Sequence, residues 1–543
     1  MAKRAQTFEI FAPTLGRKHD APSTLIDLRA MPDGFNNRLD WGRNSKEHGT
    51  TLFATGPSAV LTGSASAIYE ARFPTGSVLE VLSHNQVLKY SSGNDSFVSD
   101  GQVFTGSWTD PFSVCMYDNA LFYSNGVDPI QVKTSYAATG TNLASALSPD
   151  TYKAVAISPF YDHLCLYNTI ENGSQFYKRV RWSKKGQLVY SAGSTDFASG
   201  TYGAVDIPEC EGEIKCAVPL APIQAIYAER CIILQTWVGD VEVFRFSKAI
   251  SGIGTPSKRG VASNGLVNWF IGQNSFYEYK GGEDLVDIGM PIYAEAFAEI
   301  NAAALYNAFV EYDPITDKVS FHVPTGTSTV PDTIWVYSRK NSENPWSCLR
   351  RSYRAYGAYT RQNTLTFGDV QGNFGEQIGN WGDYISKEGA QVGLYADTAG
   401  YIVKKDPSVV SVISSGTASP QNFSYVTPDM PGLRNTKPAG GTKLVDPYNK
   451  EEVDYTTTQK RFLSFEFEAT GAGTAGVYFS VDGGRGYQEM PSSPVTLVSS
   501  GANYKLDHDY SAKQMRYKVT NTGTNEPIAI TYAKVTLVPE STQ

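Results

Sequence analysis

The chain has 543 residues, of which 41% are hydrophobic, 12% aromatic and only 18% charged. It is too long for one ordinary domain, and it has enough apolar side chain for two or three packed cores. A formal net charge of −8 argues against a protein that grips nucleic acid through a basic patch, although an acidic wall can surround a polyanion and let it slide without sticking.

Residues 1–48 read as an extended arm. Pro13, Pro22 and Pro32 interrupt it, and no periodicity is sustained. Leu25, Ile26, Leu28 and Trp41 would be costly to leave in water, so the arm is expected to dock on a neighbouring part. The basic start, Met1-Ala-Lys-Arg, is followed by no apolar segment, so no secretory leader is expected. No run approaches the roughly 20 apolar residues of a membrane span, and synthesis in a cytoplasm is expected.

From Gly49 short hairpin phrases begin. Val78–Leu82 and Gln86–Tyr90 flank Ser83-His84-Asn85, and Ser113–Tyr117 and Ala120–Tyr123 flank Asp118-Asn119. Ala154–Ile157 pairs with Leu164–Tyr167, and Asn307–Tyr312 with Val319–Val323. Many short strands with turns between them are the signature of a propeller or of stacked sandwiches. One stretch, Ile292–Tyr306, carries alanines and helical spacing and is expected to be a helix. Between about Gly382 and Lys460 the rhythm is lost, with Pro407, Pro420, Pro428, Pro431, Pro438 and Pro447 in polar sequence around one strand, Val409–Ile413. Alternation resumes at Arg461–Glu468 and continues through Val477–Val481, Val495–Val498, Met515–Val519 and Ile528–Tyr532, which reads as a separate antiparallel sandwich.

The chemistry-bearing residues are scattered. Ser480-Val-Asp482-Gly-Gly484-Arg-Gly-Tyr487 fits the Asp-box pattern familiar from sialidases. That motif is a hairpin device in which Asp caps turn amides and the aromatic plugs the core. Arg350, Arg351 and Arg354 cluster in sequence, but neighbours on a strand point to opposite faces. Glu209, Glu211 and Glu213, and likewise Glu283, Asp284 and Asp287, fall in turn-like text and read as solvated carboxylates rather than a glycosidase pair. His19, His48, His84, His163, His322 and His508 show no metal-ligand spacing, and Asn94, Asp95 and Asp100 lack a calcium ligand ladder. Cys210 and Cys216 are the nearest cysteines in sequence. In a reducing compartment they are expected as thiols, and Cys115, Cys165, Cys231 and Cys348 as buried packing residues.

The order Phe176–Gly186, Val205–Glu209, Ala228–Thr236, Val241–Phe246 and Trp269–Gly282 resembles that of the β-propeller tail nozzle or tail stabilisation (tail hub) proteins of short-tailed bacteriophages. Pro22–Leu28 and Met31–Arg38 look like the strap before the first blade of such proteins. Trp335–Trp346 and Leu365–Gly372 are similar to a closing blade, and the alternation from Phe462 into Ser480–Gly484 to the terminal sandwich. The expectation is an all-β chain: an N-terminal arm over 1–48, an irregular β-propeller over 49–383, a loop-rich connector with short strands over 384–460 and a C-terminal antiparallel β-sandwich over 461–543. The resemblance implies a structural protein of the virion tail, not an enzyme, forming a homohexameric ring below the portal adaptor. Its partners would be further copies of itself, the tail adaptor protein, a tail fibre, spike or needle protein, and DNA passing without sequence-specific contacts. No catalytic, cofactor-binding or metal-binding residue is assigned. The alternatives are a carbohydrate-binding host-attachment protein and a propeller glycosidase.

Overall fold

The computed structural model describes residues 5–11, 13, 15–20, 26–40, 43–56, 61, 65–143, 152–186, 188, 197, 202–239, 242–340, 345–360, 391–430 and 459–540. Apolar alternation separated by Gly, Asn and Asp folds this chain as short antiparallel strands. Seven sheets succeed one another over 65–103, 113–142, 152–206, 214–251, 261–287, 309–350 and 353–406, forming blades one to seven. Each is an antiparallel meander of four strands. Blade seven takes its fourth strand, Gly49–Leu52, from the start of the chain, where it pairs with Ile402–Asp406.

Apolar cores lie between successive blades and close the series on itself. Leu82 of blade one packs with Leu121 of blade two, Phe122 of blade two with Leu164 of blade three, and Tyr167 of blade three with Ile226 of blade four. Tyr227 of blade four meets Phe270 of blade five, and Trp269 of blade five meets Trp335 of blade six. Ile334 of blade six meets Tyr353 of blade seven, and Leu394 of blade seven meets Val81 of blade one. The result is a propeller-like ring in which every blade is covered on both faces, so short strands suffice.

Turn chemistry sets the hairpins. Asp118 and Asn119 take φ of 48° and 60°, as a two-residue turn between Ser113–Tyr117 and Ala120–Ser124 requires. The expected helix over 292–306 breaks into Tyr293–Glu299 and a 3-10 turn over Ala302–Asn307. Ile300 is extended (φ −60°, ψ 130°) and bridges to Thr325. Asn301 donates its side-chain amide to Ser328 O at 2.8 Å, so contacts with blade six override the local alanine propensity. The ring also runs beyond the expected boundary at 383. Gln391–Asp397 and Ile402–Asp406, in the expected connector, are the second and third strands of blade seven.

Two further sheets face each other over a core that joins Phe465, Phe467 and Val535 to Val477, Tyr517 and Val519. Phe465 and Tyr517 stack with ring centres 4.4 Å apart. The N-terminal arm is distributed among the other elements. Gln6–Phe11 pairs with Ile528–Pro539, and the hairpin Asn37–Asp40 and Arg43–Lys46 extends the same sandwich sheet. Gly16–Arg17 and Ala30–Met31 add two parallel strands to the rim of blade six, and Gly34–Phe35 pairs with Phe423–Val426. Arg17 fixes this path. Its guanidinium is buried, donates to Gly34 O at 2.6 Å and Asp33 Oδ1 at 2.9 Å, reaches Glu295, and lies 5.2 Å from the Trp335 ring centre. The expected positions Leu25, Trp41, Val241 and Leu365–Gly372 lie outside the described residues.

Candidate functional site

The first strand of every blade faces the axis of the ring. Together these strands and the residues leading into them enclose a lumen of ≈370 Å³, within the range of small-ligand pockets. Polar side chains bind its wall together from blade to blade. Ser113 Oγ donates to Ile157 O at 3.2 Å and accepts from Ile157 N at 3.0 Å, joining blades two and three. Gln224 donates to Ser158 Oγ at 2.8 Å, joining three and four, and Ser263 Oγ donates to Pro219 O at 2.9 Å, joining four and five.

One mouth is crossed by Arg259, which leads into blade five. Its Nη1 donates to Ser66 O of blade one at 2.9 Å and to Arg354 O of blade seven at 2.7 Å, and its guanidinium lies 5.1 Å from the Phe309 ring centre. Burial pushes the guanidinium down to about 10, so it remains a cation at neutral pH. Lys258 sits 3.8 Å from Asp110 Oδ1. Burial lowers the ammonium pKa, and Asp110 opposes that shift. Arg354 lies 5.2 Å from the Trp108 ring centre at the same mouth. Among the described residues, the side chains lining the lumen include Lys258 and Arg259 and no carboxylate. Sequence reasoning passed over Lys258-Arg259. The available signal was a dibasic step followed by Gly260, just before a short apolar strand phrase.

Among the sequence-level candidates, Arg354 stands at this mouth and Cys115 and Cys216 line the lumen, whereas the other arginines and the acidic clusters are engaged elsewhere. Arg350 donates to Glu299 at 2.7 Å and Thr333 at 2.8 Å, whereas Arg351 donates to His48 O and Gln421. Glu211 accepts from Ser251, Lys248 and Gly252, Glu213 meets Lys215, and Asp287 accepts from Ser275 and Gly289 N. Each is engaged locally, and none forms a facing acid pair with its sequence neighbour. Asp95 caps Thr55 and accepts from Tyr90. No group of three His, Cys, Asp or Glu side chains among the described residues is arranged to hold a metal ion. His322 is buried, stacked on Phe309 at 4.0 Å and 3.3 Å from Glu311. The six cysteines are free and buried. The close pair is Cys210 with Cys231, at 4.0 Å between sulfurs, rather than Cys210 with Cys216.

The Asp-box residues form the hairpin that their pattern predicts. Ser480 Oγ donates to Asp482 Oδ1 at 2.6 Å and accepts from Gly484 N at 3.0 Å, and Gly486 N donates to Asp482 Oδ1 at 3.0 Å. Tyr487 is pushed up to about 12 by burial, and Lys518 lies 5.0 Å from its ring centre. Ser480 is buried, so Ser480→Ala leaves Gly484 N unpaired and costs about 1–2 kcal/mol. Hydrogen exchange across Thr474–Ser480 reads this loss. Unchanged protection there would remove the hairpin role.

No protein-family model matches the chain, and no curated relative was found. Among solved structures it is similar to the Pan2 WD40 domain of Neurospora crassa, at 8% identity and a TM-score of 0.35, over 69% of this chain and 97% of that one. It is also similar to YCF48 bound to D1 peptide, at 9% identity and a TM-score of 0.34, over 68% and 96%. YCF48 from Cyanidioschyzon merolae follows at 9% identity and a TM-score of 0.28, over 54% and 99%. The propeller-like architecture itself rests on the sheet order and on the cores between successive blades.

Proposed function

We propose that this chain is a structural protein of a bacteriophage tail, forming the nozzle or hub ring below the portal adaptor through which DNA is held and then ejected. The observation that carries this reading is the path of the arm. Residues 6–52 supply strands to both sandwich sheets, to blade six and to blade seven. Asn36 N donates to Cys348 O at 2.7 Å, Asn36 Oδ1 accepts from Arg350 N at 3.0 Å, and Gln421 donates to Glu47 O at 3.1 Å. An arm laced in this way resists separation of the ring from the sandwich, which suits a wall element under pressure. The net charge of −8 suits a surface past which phosphates slide. In this reading copies assemble as a homohexamer against an adaptor, with a fibre, spike or needle protein beyond.

Immunogold electron microscopy of virus particles from the source, with antibody to this chain, tests the proposal. Label at the far end of a short tail is the expected result. Particles that stay bare although their tails are accessible would overturn it.

One observation favours a second reading, carbohydrate binding at a host surface. Tyr161 and Trp237 stack with ring centres 5.0 Å apart across blades three and four, and both are exposed. Leu266 and Ile315 are exposed on loops at the same end of the ring. Amphipathic rings of this kind suit sugar faces. A glycan array that stays blank for the parent protein would remove this reading.

A further inference from the structure

We propose that the lumen of the ring is a binding site for a small oxyanion-bearing molecule, carboxylate or phosphate, held by Lys258 and Arg259. Three observations carry it. First, the chain as a whole is acidic, yet the charged side chains lining the lumen are these two cations. A concave, low-dielectric wall of one sign focuses field on a counter-ion. Second, their donors are not used up. Arg259 makes its two hydrogen bonds through Nη1 alone, which leaves Nε–H and both Nη2–H groups without an acceptor among the described residues. The ion pair of Lys258 with Asp110 is long, at 3.8 Å, and Glu213 acts on it only as a further charge. Third, Arg259 is preorganised. Two carbonyls from the adjoining blades one and seven and the Phe309 face fix its plane, so little side-chain entropy remains to be lost on binding.

A fixed guanidinium edge beside an ammonium group matches the geometry of a carboxylate or phosphate, with the fork taking two oxygens and the lysine a third. The rest of the wall carries no charge and mixes small apolar residues such as Ala67, Val155, Ala217 and Val261 with the hydroxyls of Ser113 and Ser158. It fits a compact ligand body and excludes a polymer.

The test uses the full chain and isothermal titration calorimetry with sodium phosphate and with citrate at constant ionic strength. Sodium chloride is the control. Saturable binding of either probe is expected, weakened about tenfold or more by Lys258→Met, since a charge-assisted hydrogen bond is lost. Phosphate alone binding assigns a phosphate-bearing ligand, and citrate alone a carboxylate. Arg259→Met should abolish binding. Because Arg259 also ties blades together, the Lys258 variant is the decisive one. No saturable heat with either probe would overturn the proposal. So would binding that is unchanged in a Lys258→Met protein whose circular dichroism matches the parent.

Discussion

Glu80→Ala is expected to destabilise the ring by about 3–5 kcal/mol, the cost of stranding a buried charge. Glu80 lies in the second strand of blade one and Lys133 in the third strand of blade two, and the two side chains pair with 0% exposure on either. Glu80 Oε2 has no hydrogen-bond partner, so the pair is incompletely satisfied. Replacing both partners with apolar residues, as in Glu80→Leu with Lys133→Met, should therefore recover most of the loss and can exceed the parent. Burial holds the Lys133 ammonium at about 8, below its ordinary 10.5. Between those values the unfolded chain binds more protons than the folded one, so stability rises with pH across that window. Without Glu80 the buried ammonium gives up its proton at lower pH than in the parent, so the Glu80→Ala deficit should shrink as pH rises towards about 8 and stay level above it. Tryptophan emission during urea unfolding is the readout, because Trp182, Trp237, Trp269, Trp335 and Trp346 lie in the blades and no tryptophan follows residue 381. A double variant as unstable as the single one would show that the two groups are not coupled.

The hairpins could be read from the sequence because their signals are local. Asp118-Asn119 and the alternation of Val78–Leu82 with Gln86–Tyr90 specify turn and register within a few residues. Ring closure is not local. Gly49–Leu52 completes a blade whose other strands lie more than 300 residues away, and nothing in a four-residue phrase identifies that partner. Ala502–Ala512 escaped notice for a different reason. It is an edge strand whose Asp507, Asp509 and Ser511 face water, so its alternation is mostly polar. The arm was expected to dock, but its path through three sheets depends on Arg17, Asn36 and Lys46, polar residues whose roles appear only when their distant partners are in place. The lumen is similar. Lys258-Arg259 is an ordinary dibasic step until blades one and seven bring Ser66 O and Arg354 O across to it.

Closure of the ring also creates the second large effect. Glu47 precedes the closing strand, and its buried carboxyl faces a polar cleft between blades six and seven that Lys318, Arg351 and Lys405 also line. Burial alone would raise the Glu47 carboxyl, but Lys405, Lys318, Arg351 and His48 outweigh it and hold it at about 2. Against the ordinary value of 4.5, this corresponds to a contribution of about 3 kcal/mol. The folded pKa lies below the unfolded one, so the contribution is fully present above pH 4.5 and is lost as pH falls towards 2. Glu47→Gln, which keeps the shape but not the charge, should lose that amount at neutral pH. The parent and the variant should then converge as pH approaches 2, whatever other carboxylates do in both. Urea midpoints for the pair at pH 7, 4.5 and 2.5 supply the curve. A gap of equal size at pH 7 and pH 2.5 would mean that Glu47 acts through packing, and that the closing strand is held by its backbone ladder rather than by charge.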